Sequence, residues 1–124
     1  ATQKQRGGVF EFASSNELWR ASLDVIDFMP LSSVNYSGGI IISDWYSSEQ
    51  SSNESIKVSI RFLTNEIRSD ALDIKIFNRK CDLSLLNCKV NENKGALVAE
   101  IKKEILKKAS VYKKESEDKK KKKN

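Results

Sequence analysis

An amphipathic stretch, stopped by the only proline and followed by a glycine-led apolar run, constrains this chain more than any other feature. Leu18, Trp19, Ser22, Leu23, Ile26 and Met29 recur at helical spacing, while Glu17, Arg20, Asp24 and Asp27 fall mostly on the other side. The spacing predicts a helix over about 15–28, opened by a Ser14–Glu17 capping box. Pro30 closes it by disfavouring helical backbone at Met29. After a loop, Gly38-Gly39 leads into Ile40–Tyr46, a β-branched run too short for a second helix and read as a strand.

Ile56, Val58, Ile60 and Phe62 then alternate with Lys57, Ser59 and Arg61, and Leu72, Ile74 and Ile76 alternate with Asp73 and Lys75. Period-two alternation marks strands with one wet face, and short connections favour antiparallel pairing. Leu97, Val98, Ile101, Ile105, Ala109 and Tyr112 form an apolar stripe against Lys102, Lys103, Lys107 and Lys108, which predicts a closing helix over about 95–114. Two one-faced helices and a one-faced sheet pack most simply as two layers. The expected fold is α+β: an antiparallel sheet of three to four strands with both helices on one face, turned toward Ile56, Val58, Ile60, Leu72, Ile74 and Ile76.

With 124 residues, the chain is long enough for one modest core. Residues 1–12 read as a polar tether or a short edge strand, with Val9, Phe10 and Phe12 either forming that strand or folding back over the core, residues 13–112 as the domain, and residues 113–124 as a disordered lysine-rich tail. The net charge of +5 sits mainly in that tail, which holds seven lysines and three acids against fifteen basic and fourteen acidic side chains in residues 1–112. A nearly neutral domain lacks the broad positive field that phosphate backbones select, so nucleic acid is not an expected partner. Lys119, Lys120, Lys121, Lys122 and Lys123 are candidates for weak, salt-sensitive contact with anionic lipid. No apolar run is long enough for a transmembrane span. Ala1 rather than Met opens the chain, which reads as a processed product or a sequence whose targeting segment has been removed.

Histidine is absent, which removes the commonest general base and the commonest metal ligand. Ser-His and Cys-His hydrolases and imidazole zinc sites are excluded. Asp24 and Asp27 read as solvated helix surface, and Gly7-Gly8 and Gly38-Gly39 do not extend into a phosphate-cradling pattern. No catalytic residue, metal site or cofactor is expected. Cys81 and Cys88 bound an eight-residue segment. They are two free thiols in a reducing compartment or a loop staple worth roughly 2.5 kcal/mol in an oxidising one. Trp45 and Tyr46, on opposite faces by strand alternation, divide between covering the core and anchoring a partner. With Arg61 and Arg68 they form the expected partner surface.

Three blocks carry a resemblance: Leu18–Asp24 with Asp27–Leu31, Gly39–Tyr46, and Glu66–Leu72. Over about residues 7–112 the chain resembles the bacterial family catalogued as domain of unknown function 3576. The resemblance implies a secreted envelope protein with a lipoprotein-type leader, lost here ahead of Ala1. The layout is also similar, more distantly, to one domain of the C lipoprotein of the outer-membrane β-barrel assembly machinery, through Trp19 and the Gly39–Trp45 strand; the loops and the lysine tail depart from it. The expectation is a non-catalytic, periplasmic, outer-membrane-associated accessory module that binds an envelope protein or outer-membrane component. The rival is a polyanion-binding or nucleic-acid-binding protein acting through its tail.

Overall fold

The computed structural model describes residues 16–47 and 53–123. Its elements follow as α1 (Glu17–Val25), β1 (Leu31–Asn35), β2 (Ile40–Ser43), β3 (Glu54–Phe62), a 3-10 turn (Ser69–Ala71), β4 (Leu72–Cys81), β5 (Cys88–Asn93) and α2 (Ala96–Lys123). The five strands form one antiparallel meander in sequence order. The fold is α+β, with one strand more than the upper expectation. The two strands that residue spacing does not reveal are both edges: β1 is exposed throughout and β5 nearly so, so neither carries the apolar alternation that marks a half-buried strand.

Asn16 caps α1, its side-chain oxygen accepting from the Trp19 amide at 3.1 Å. Ser14, the expected cap, lies outside the described residues, as do Val9, Phe10 and Phe12. The helix stops at Val25 rather than near residue 28, because Met29 N–H bonds the Ile26 carbonyl three residues back and tightens the last turn. Pro30 then sends the chain into β1. A turn at residues 36–39 returns it to β2, with Gly39 at φ +65 and its Cα facing the Phe62 carbonyl, which an added Cβ would meet at 3.3 Å.

The core lies between the helices and one face of the sheet. Leu18, Trp19, Ala21 and Ile26 from α1 and its turn, and Ile101, Ile105 and Ala109 from α2, are buried with Ile41, Val58, Ile60, Leu72, Ile74 and Ile76; Ile56 packs at the edge. The Trp19 ring centroid lies 5.0 Å from that of Tyr36 and 5.1 Å from that of Phe62. Between the helices, the Tyr112 hydroxyl donates to Asp24 Oδ2 and the Arg20 guanidinium sits 3.9 Å above the Tyr112 ring.

The largest departure from expectation is α2, which continues through residues 113–123 where a disordered tail is expected. Lysine and glutamate are good helix formers, and Glu115–Lys119 is an i,i+4 pair of favourable order, so a charge run that continues an established helix extends it. No described side chain beyond Tyr112 is buried.

A candidate binding face around Trp45

The strand begun at Ile40 breaks at Ser43, earlier than expected. Ile42 pairs with Ser59, and Tyr46 rejoins the sheet as a two-bond bridge to Ile56 at 2.9 Å in each direction. Three residues thus lie between these pairs on one strand against two on the other, the signature of a bulge. Ser43 Oγ fills the gap by accepting the Val58 amide at 2.8 Å, and Asp44 donates its N–H to the Pro30 carbonyl at 2.8 Å. Side chains alternate faces along a strand, so one inserted residue reverses every side chain after it. Without the insertion Trp45 would point at the helices; with it, Tyr46 does.

Tyr46 packs on the core cluster, its ring 5.4 Å from that of Phe28 at near right angles. Trp45 lies half-buried on the face opposite the helices. There the Arg79 guanidinium stands 4.6 Å and the Lys57 ammonium 5.4 Å from its ring centroid, two cation–π contacts. Arg79 Nε also donates to Ser55 Oγ at 3.2 Å, which fixes the guanidinium over the ring. Neither cation is ion-paired to a described carboxylate. Strand register adds Lys75, Arg61 and Phe77 to this face, with Asp73 and Glu92 as its acids.

The four residues expected to form one partner surface therefore separate. Trp45 and Arg61 share the open face, and Tyr46 is on the other side of the sheet. Arg68 is committed within its own loop, bonding Glu66 Oε2 and Asp70 Oδ1 at 2.7 Å each. Lys57 and Arg79 are the residues that the sequence reading does not single out. Each is one of many lysines and arginines, and their convergence on Trp45 follows from the pairing of β3 with β4 and from the bulge, neither of which is spelled in residue spacing.

Behind Tyr46, on the helix side of the sheet, an open cleft of about 540 Å³ is lined by Glu54, Ile56, Asn78, Lys80, Lys89 and Asn91 among others. Among the described residues no group of three or more carboxylates or cysteines is placed to hold a metal ion, and no helix is long and apolar enough to cross a membrane. Cys81 and Cys88 face each other as the last rung of the β4–β5 hairpin and are joined as a disulfide. Lys119 and Lys120 are exposed on the final turns of α2, while the side chains of Lys121, Lys122 and Lys123 lie outside the described residues.

No solved structure matches the chain. The chain is 38% identical over 92 residues to an uncharacterized protein of Rickettsia prowazekii (strain Madrid E), a match covering 74% of this chain and 54% of that protein. The chain thus spans about half the length of this relative. A family model matches residues 12–114, spanning every element except the end of α2, and the chain belongs to the family described as domain of unknown function DUF3576.

Proposed function

We propose that this domain is a non-catalytic binding module of the bacterial envelope, periplasmic and outer-membrane-attached in its full-length precursor, which recognises an envelope protein or outer-membrane component through the open sheet face at Trp45. The observation that carries this reading is a half-buried tryptophan beneath two cations that have no described carboxylate partner, on the face that the helices leave uncovered. Aromatic and arginine side chains supply most interface anchors, and an arginine already held over a ring loses little freedom on binding. A disulfide closing the β4–β5 hairpin supports an oxidising compartment.

The test is photo-crosslinking in intact bacteria with the reactive group at Lys75, on the same face and away from the Trp45 contacts, combined with fractionation of the envelope. Wild type should give a discrete adduct in the envelope fraction, and Trp45→Ala with Arg79→Gln should abolish it without unfolding the domain. Arg68→Ala should leave it intact. Persistence of the adduct in the double variant, or recovery of the protein in the cytoplasm, would reject the reading. A second reading, polyanion binding through the end of α2, is favoured by the exposed lysines there; it requires that deletion of residues 113–124 alone abolish capture.

A further inference from the structure

The β4–β5 hairpin ends in the loop Asp82-Leu83-Ser84-Leu85-Leu86-Asn87, and its three leucines are among the most exposed apolar side chains of the described residues: Leu83 at 96%, Leu86 at 84% and Leu85 at 57%. The loop is tightly built. Asp82 Oδ1 accepts from the amides of Ser84 and Leu86 and from the Ser84 hydroxyl, while Oδ2 accepts from the Asn87 side chain. The Asp82 amide bonds the Asn87 carbonyl and the Leu85 amide bonds the Asp82 carbonyl. Leu85 sits at φ 62, a conformation that asparagine or glycine adopts far more readily than a branched apolar residue. The Cys81–Cys88 disulfide closes the base.

Three features beyond exposure identify the occupant. The amides of Asp82, Ser84, Leu85 and Leu86 are already bonded inside the loop, which lowers the number of free donors that the backbone would carry toward lipid, where each is costly. The next rung back is Lys80 opposite Lys89, both exposed, about 10 Å from the tip at the rise of a strand. That spacing sets ammonium groups at phosphate depth when the leucines reach the acyl boundary. Lys80 Nζ also lies 3.6 Å from Glu54 Oε1, in an exposed ion pair that is worth little in water and leaves the ammonium open to a second anion. The hairpin also projects clear of the helix layer: Ile74 and Ile76 are buried, whereas Asn78, Lys80, Lys89 and Asn91 on the same face are exposed. A convex tip of leucines suits a fluid apolar phase better than a protein pocket, since leucine is under-represented among protein-interface anchors.

We infer that the disulfide-closed β4–β5 tip is a membrane-contact element, which inserts Leu83, Leu85 and Leu86 into the interface of a phospholipid bilayer while Lys80 and Lys89 engage its anionic headgroups. This site is separate from the Trp45 face, and its test leaves Trp45 unchanged. The oxidised 124-residue chain is sedimented with vesicles of phosphatidylcholine and phosphatidylglycerol. Leu83→Ser with Leu86→Ser should weaken binding at least about tenfold, and Lys80→Gln with Lys89→Gln about fivefold per lysine at low salt, each with an unchanged melting temperature. In Leu83→Trp, the emission added over wild type should be quenched by lipids brominated on the acyl chain. The inference is overturned if the double-serine variant binds vesicles like wild type, as it would if the lysines at the end of α2 did all the binding. It is also overturned if the emission added at position 83 is not quenched, or if the leucine variants lose a protein partner while their vesicle binding is unchanged.

Discussion

Trp19 and Trp45 share a side chain and occupy opposite environments. Trp19 is 5% exposed and packs edge-on against Tyr36 and obliquely against Phe62, so its truncation removes both transfer energy and packing. Trp19→Ala should cost about 3–5 kcal/mol in urea unfolding. Trp45→Ala gives up chiefly its cation–π contacts and should cost about 1 kcal/mol. Equal losses would show that both rings are structural and would remove the basis for reading Trp45 as a recognition residue. The burial of Trp19 is legible from its place in the helical stripe. The fate of Trp45 is not, since the alternation that separates it from Tyr46 does not say which of the two faces the helices.

At the scale of elements, α1 and α2 are fastened where Tyr112 reaches Asp24. Lys108 Nζ approaches the same Asp24 oxygen at 3.8 Å, and Arg20 covers the ring. The hydrogen bond to Asp24, reinforced by burial and by the Asp24 charge, raises the Tyr112 hydroxyl above its ordinary value of 10.0. The folded state therefore holds this proton more tightly than the unfolded state does. The stabilisation is intact below pH 10 and is lost as pH rises through the folded value. The urea midpoint of wild type should fall more steeply above that pH than that of Tyr112→Phe, which has no proton to lose; parallel curves would place the helix–helix fastening elsewhere. Residue spacing reveals α2 and its inner stripe as far as Tyr112, because burial writes a period into the sequence. It is silent about the two edge strands, which bury little and are held by backbone hydrogen bonds that leave no mark on side-chain choice.

For the whole molecule, packing against the domain ends at Tyr112, and the remaining described turns of α2 extend from it. Since no described side chain after Tyr112 is buried, deleting residues 113–124 should leave the urea midpoint unchanged within about 0.5 kcal/mol. It should also remove about three turns of helical circular dichroism signal. An unchanged helix signal would mean that the tail is not helical in solution, and a lowered midpoint that it packs on the domain. The sequence by itself determined the α+β class, the position of both helices, the central strands and their inward residues, since each rests on a local period imposed by one buried face. Only the tertiary structure decided that Trp45 faces away from the helices under Arg79 and Lys57, that Arg68 is spent within its own loop, and that three leucines stand at the end of a closed hairpin. Those outcomes depend on strand register, on one inserted residue and on pairings between distant segments, which are set by the packing of the whole chain and not by the neighbours of any residue in sequence.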